Sequence, residues 1–271
     1  MTGRSGDSMP VDPQAANLEV PPGLIRGAFS NHDESIRSAC WLIDHLCDHL
    51  GLQDLGQTEM LDVGCGVKFT QAFLNLCLPI KRYVGCDVSE DLIAHLQTNV
   101  EDERFEYVHL PAHNELYNPK GLPLEDINEL PTIRGTFDLI TLFSVFTHLN
   151  PTDFRAMLNL LRGYATPRTT LFFSLYLDEL TDGGYGLIDE LSRALDESKD
   201  DVAEAVAENM DAASGTRHIE PFRDLNPARP LLWALYSESY ARELIEGTGW
   251  RVITLSQPGP YIQHHFVCRL D

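Results

Sequence analysis

The sequence predicts an α/β protein built on a mostly parallel sheet. Three observations carry this. Strand-like and helix-like segments alternate from Met60 to Leu177. A glycine turn, Asp62-Val63-Gly64-Cys65-Gly66, stands where the first strand of that series gives way to a helix. The next strand then ends on an acidic residue, Asp87, about twenty residues after Gly66.

The elements follow in order. A helix is expected from about Asp33 to Leu50, because Ile36, Ala39, Cys40, Leu42, Ile43, Leu46 and Leu50 recur at helical spacing and Gly51 is a natural stop. Met60–Val63 reads as a strand and Phe69–Leu78 as an apolar helix. Arg82–Cys86 is a second strand, and Glu90–Val100 a second helix of the series with Ser89 as its N-cap. Phe105–Leu110 and Phe137–Leu142 are the third and fourth strands. Pro151–Tyr164 follows as a helix, with Asn150 placed to cap it and Pro151 suited to its first turn. Thr169–Leu177 is the fifth strand. Beyond it the rhythm breaks into a Gly-rich loop (Asp182–Gly186), an acidic helical stretch from about Leu187 to Met210 and a Pro-containing loop. A helix over Ser237–Glu246 and strands near Trp250–Leu255 and Ile262–Leu270 close the chain. The last two are joined by Gln257-Pro258-Gly259-Pro260 as an antiparallel, hairpin-like edge.

Four regions follow: a flexible leader (1–22), a cofactor-binding core (23–177), an acidic helical insertion serving as acceptor pocket or lid (178–230), and the C-terminal part of the core sheet (231–271). Of the 271 residues, 43% are hydrophobic, enough for an ordinary core. A formal charge of −21 disfavours nucleic acid and anionic membrane surfaces as partners. No stretch reaches the roughly 18 apolar residues of a membrane span. The first residues lack the apolar segment of a signal peptide, and none of the six cysteines forms a C-x-x-C pair. A cytoplasmic, reducing setting is expected.

The turn and Asp87 point to a nucleoside-containing ligand. Glycine allows a tight turn and close approach of a ligand, and a strand-terminal carboxylate can accept both ribose hydroxyls. His148 lies just past the fourth strand, on the edge where open α/β sheets bind ligands, and a histidine there suits a general base. Capping of the following helix, or a structural hydrogen bond, is the alternative. Asp178 and Glu179 follow the fifth strand on the same edge. With a histidine they could hold a divalent cation such as Mg2+, and a solvated turn is the plainer alternative. His109, His113, Gln263, His264 and His265 are further polar candidates, and His264 and His265 point to opposite sides of a strand.

Asp62–Gly66 resembles motif I of the class I methyltransferases, Gly85-Cys86-Asp87 their ribose-binding motif, and Phe137 through Leu149 their motif IV and following loop. Tyr117-Asn118-Pro119 and Gln263 also look like a subset of bacterial members. The likeness covers residues 58–178 well and 231–271 loosely. It implies a Rossmann-like fold with a mostly parallel seven-stranded sheet, an antiparallel C-terminal edge strand and a helical insertion after the fifth strand. It further implies S-adenosylmethionine as cofactor, held by Asp62, Gly64, Cys65, Gly66, Asp87, Val88, Ala112, His113, Phe143 and Ser144. His148, with Glu179, is then the catalytic candidate. Two positions depart from the family. Lys68 replaces the third motif glycine, and Leu110-Pro111-Ala112 lacks the acidic residue that often meets the adenine amine.

The acceptor is expected to be a small molecule. The sequence lacks both a C5-methylation cysteine motif and the Asn/Asp-Pro-Pro-Tyr pattern of base amino-group methylation. A hydroxyl acceptor is therefore expected, and the family resemblance, which includes bacterial enzymes acting on sugars, implies a sugar or glycoside first. Tyr185, His218, Phe222, Arg223, Trp233 and Tyr236 would line its pocket. A homodimer is compatible with the sequence. An NAD(P)-dependent oxidoreductase and a non-catalytic cofactor-binding module stand as alternatives.

Overall fold

A computed structural model describes residues 18–25, 32–178, 219–225, 228–256 and 263–271. The Asp182–Gly186 loop, the acidic stretch, Glu179, Tyr185, His218 and the Gln257–Pro260 turn lie outside the described residues. The chain divides into two compact units, Met1–Gln57 with Gly66–Lys81, and Thr58–Cys65 with Arg82–Asp271.

In the first unit α1 (His32–Leu50) packs on α2 (Lys68–Asn75). Asp33 and Glu34 in the first turn of α1 complement the helix dipole. The predicted stop is met by chemistry local to the sequence. Gly51 takes φ +65°, its N–H bonds to Asp48 O, and the Leu52 N–H reaches back to Cys47 O. Leu18 and Val20 are buried, and the Leu18 amide donates to Asn75 Oδ1 of α2 at 2.9 Å.

Among the described residues the sheet has nine strands: β1 (Leu55–Val63), β2 (Ile80–Asp87), β3 (Phe105–His109), β4 (Leu139–Leu142), β5 (Thr170–Leu177), β6 (Phe222–Asp224), β7 (Ala234–Tyr236), β8 (Trp250–Leu255) and β9 (His264–Leu270). Their order runs β3-β2-β1-β4-β5, and β3 pairs parallel with β2, β1 with β4 and β4 with β5. β9 then pairs antiparallel with both β5 and β8. The last strand is antiparallel as expected, but it lies inside the sheet. The edge belongs to β8, whose register shifts between Val252 and Thr254 and whose Arg251 and Ile253 are exposed. A bulged, partly charged edge resists further strand pairing. The two strands beyond the expected seven are β6 and β7. β7 runs parallel to the tip of β5 and β6 antiparallel to β7.

Every residue of β5 is buried, as for a strand covered on both faces. One face forms a core of Leu61, Val84, Ile140, Phe173 and Phe266 under Phe154 and Leu158 of α4 (Pro151–Arg162) and Leu244 and Ile245 of α5 (Glu238–Glu246). The helix starts expected from sequence are capped. Ser89 Oγ accepts from Leu92 N ahead of α3 (Glu90–Asn99), Asn150 Oδ1 accepts from Asp153 N, and Ser237 Oγ accepts from Tyr240 N. Among the described residues no helix is long and apolar enough to cross a membrane.

Candidate active site

The glycine turn closes onto β2, where Gly64 N and Cys65 N both donate to Cys86 O, at 2.8 and 3.0 Å. Gly64 has φ +69°, and a Cβ there would stand 2.5 Å from Val145 Cγ2. Its lack of a side chain therefore serves the packing of the loop after β4 as well as the turn. Gly66 also has positive φ, +52°, but the space around its Cα is open. That openness is what a ligand beside the turn requires. Gly85 leaves room for the Cys65 side chain, whose Sγ would lie 3.0 Å from an added Cβ.

Asp62 is 2% exposed. Its Oδ2 accepts from Tyr83 OH and its Oδ1 from Thr141 Oγ1, each at 2.7 Å. Three strands are thus tied at one carboxylate, which fixes the strand end from which the turn leaves. Asp87 is 3% exposed, and its Oδ1 accepts from Ser89 N, closing the turn into α3. Val88 is half-buried beside it and gives its carbonyl to His109 Nε2 at 3.2 Å.

Ala112 and His113 open a loop that folds back on itself. Leu122 N donates to Pro111 O, His113 N to Leu122 O, and Asn118 Nδ2 to Ala112 O. Asn114 Oδ1 accepts from Leu116 N and Tyr117 N. A Cβ on Gly121 would overlap the Ala112 carbonyl, so glycine is required by close approach. The Tyr117-Asn118-Pro119 string therefore shapes this loop through Asn118. Pairing of the Asn118 amide with a carbonyl six residues earlier leaves no sequence periodicity by which to find it.

Beyond β4, Phe143 packs its ring at 5.7 Å from Phe172 and 5.8 Å from His265. Ser144 takes φ +57°, held by its N–H to Ser174 Oγ at 2.8 Å. Gln263 Nε2 donates to Ser144 Oγ at 2.9 Å and to Tyr176 OH at 3.3 Å. His148 ends a 3-10 turn (Phe146–His148), and its Nδ1 lies 3.0 Å from Leu231 O. A carbonyl can only accept, so Nδ1 carries the proton and Nε2 keeps its lone pair. Burial lowers the His148 pKa below its usual 6.5, against the opposing effect of the Leu231 and Leu232 backbone groups. The ring is therefore neutral at pH 7. His148 does not cap α4, whose cap is Asn150.

Asp178, 2% exposed, pairs with Arg223 NH2 at 3.2 Å. Among the described residues no three His, Cys, Asp or Glu side chains gather to hold a metal. Glu179, the other carboxylate of the expected cation site, lies outside the described residues. His264 is buried without a partner for either ring nitrogen, and burial drives its pKa to about 4. His265 lies on the opposite side of the strand, against Phe143 and Phe172, as their alternation requires. Lys68 opens α2 with Nζ 5.8 Å from the Phe69 ring centroid. A groove of about 710 Å³ on α4 and α5, lined by Asn128, Arg155, Asn159, Tyr240 and Glu243, contains none of the predicted site residues.

Comparison with known families decides between the readings. Residues 61–171 match the family model described as a methyltransferase domain. Over these residues the chain is similar to a methyltransferase domain. The matched span begins one residue before Asp62 and takes in the turn, Asp87, the 111–122 loop and His148. It sets aside the oxidoreductase alternative.

Solved structures share the fold of this chain at low identity. The glycopeptide N-methyltransferase MtfA, complexed with S-adenosyl-L-homocysteine, is 14% identical with a TM-score of 0.51, over 88% of this chain and 90% of that one. The mitomycin 7-O-methyltransferase MmcR is also 14% identical, with a TM-score of 0.50 over 89% of this chain and 54% of its own. The pyocyanin biosynthetic protein PhzM is 14% identical, with a TM-score of 0.51 over 86% of this chain and 55% of its own. The Rossmann-like class I methyltransferase fold expected from the sequence is thus the fold observed.

Proposed function

We propose that this methyltransferase moves a methyl group from S-adenosylmethionine to a hydroxyl of a small molecule, a sugar or glycoside first, with His148 as general base. The observation that carries the reading is the state of His148. Nδ1–H is spent on Leu231 O, Nε2 is left as a lone pair, and burial keeps the ring neutral.

The residues at the carboxyl edge suit the cofactor. Asp87 ends β2 where a ribose would present its hydroxyls, Gly66 leaves open space at the turn, and Phe143 and Ser144 stand after β4. Val88, Ala112 and His113 would wall the adenine end, and Gly64 and Cys65 shape the turn from within. Asp62 acts one step back, by anchoring the strand through Tyr83 and Thr141. When bound, S-adenosylmethionine supplies a methyl on a positively charged sulfur that leaves readily. His148 Nε2 would take the proton of the acceptor hydroxyl, and the cofactor would supply the methyl that the hydroxyl oxygen receives. Holding the two reactants in line can supply about 7–11 kcal/mol, and the base a further 10²–10⁴-fold.

Transfer of labelled methyl from S-adenosylmethionine to a panel of glycosides tests this. Wild type labels at least one glycoside. His148→Ala loses about 10²–10⁴-fold in kcat, the range for a general base, and binds S-adenosylhomocysteine as tightly as wild type. Equal loss of cofactor affinity, or full turnover in the variant, would remove His148 as the base.

A further inference from the structure

β6 and β7 place two unpaired hydrogen-bond donors on one side of the sheet tip. Arg223 pairs across with Leu235, and Leu225 N bonds to Trp233 O, so Arg223 and Trp233 project from the same face of the β6–β7 pair. Leu235 is in register with Tyr176 of β5, which brings Tyr176 and, two residues on, Asp178 to that face as well. Side-chain contacts agree. The Tyr176 and Trp233 rings lie 5.1 Å apart, tilted by 46°, and Arg223 NH2 reaches Asp178 Oδ1 at 3.2 Å. Gln263 extends the same face through Tyr176 OH.

Within this group Trp233 Nε1 and Arg223 Nε are buried and have no hydrogen-bond partner. The Trp233 residue is 8% exposed and Arg223 14%. Buried N–H groups are ordinarily paired, and leaving one unpaired carries the desolvation cost of the group. Two such donors on one face, bordered by aromatic rings and a carboxylate, have the complement of a ligand with closely spaced oxygens. We infer that Trp233 and Arg223 bind the methyl acceptor, donating from Nε1 and Nε to the hydroxyl oxygens of a saccharide, while Asp178 accepts from one of its hydroxyls. Trp233 and Tyr176 supply the apolar wall for the C–H face of the ring. A saccharide hydroxyl both donates and accepts, which matches this mixture of two donors and one carboxylate. A simple carboxylate ligand would meet Asp178 with like charge.

The inference rests on the sugar-hydroxyl reading of the acceptor, so its test must not depend on turnover. The chain has three tryptophans, and a 1H–15N spectrum resolves their indole N–H signals. With S-adenosylhomocysteine present, methyl α-D-glucopyranoside, methyl α-D-mannopyranoside and methyl β-D-galactopyranoside are titrated in turn, with phenol and benzoate as controls. The expected result is a downfield shift of the Trp233 indole N–H with at least one glycoside and with neither control. Trp233→Phe keeps a ring and loses the donor. It weakens glycoside binding about tenfold, leaves S-adenosylhomocysteine affinity unchanged and does not lower the melting temperature. Arg223→Lys, which keeps the charge beside Asp178 but lacks Nε, weakens glycoside binding similarly. An indole signal that no glycoside moves, or that phenol moves equally, overturns the inference. Unchanged glycoside affinity in Trp233→Phe does the same. A shift without methyl transfer keeps the site and removes the reaction. Transfer without a shift keeps the reaction and removes the site.

Discussion

At the scale of single residues, the turn is governed by what surrounds it. Asp62 was legible in the sequence as the acidic residue of a strand-ending motif. Its partners were not, because Thr141 lies 79 positions away and Tyr83 belongs to another strand. Thr141→Val removes one hydrogen bond to a buried carboxylate. It should lower stability by about 1.5–3 kcal/mol, the range for bonds to charged groups, measured by urea denaturation. Gly64→Ala meets two costs, a left-handed φ of +69° and the Val145 methyl. The conformational part is about 1–2 kcal/mol. Val145→Ala in the same chain should recover only what exceeds that part. Full recovery would mean the backbone is not strained there.

At the scale of elements, local chemistry was readable and distant pairing was not. Ser89, Asn150 and Gly51 announce helix ends because a cap needs only a few neighbouring residues. The three-residue strands β6 and β7 are too short to show alternation, and only register with the tip of β5 makes them strands. The same limit hid the position of β9, since a hairpin-like pattern does not say which partner lies on its other side. In the 111–122 loop Asn118→Ala removes the donor to Ala112 O, and Gly121→Ala overlaps that same carbonyl. Faster amide hydrogen exchange at His113 and Leu122 in either variant, with β2 and β3 unchanged, is the expected result. Uniform acceleration across the sheet would instead mark the loop as part of the global folding unit.

For the whole molecule, pH acts through two histidines whose pKa desolvation lowers, with different consequences. His264 has a folded pKa of about 4, below its ordinary 6.5, mainly because it is buried, with Glu238 opposing. Its contribution is complete above the unfolded value, falls as pH drops below about 6.5 and is gone by about pH 4. The linkage over that window is worth about 3 kcal/mol, and His264→Leu should flatten the corresponding fall in the urea midpoint. His148 is also held below 6.5 by burial, but its protonation removes the proposed base. The acid limb of the kcat profile should therefore have its midpoint below 6.5. The sequence placed His148 at the ligand-binding edge and offered His264 as a further polar candidate, and only the packing around them separates their roles. The most direct test of the account is calorimetric titration of S-adenosylhomocysteine and of NADH into wild type and Asp87→Ala. Saturable binding of S-adenosylhomocysteine, no binding of NADH, and at least tenfold weaker S-adenosylhomocysteine binding in Asp87→Ala are expected. Binding of NADH in its place, or S-adenosylhomocysteine affinity that does not change when Asp87 is removed, would contradict it.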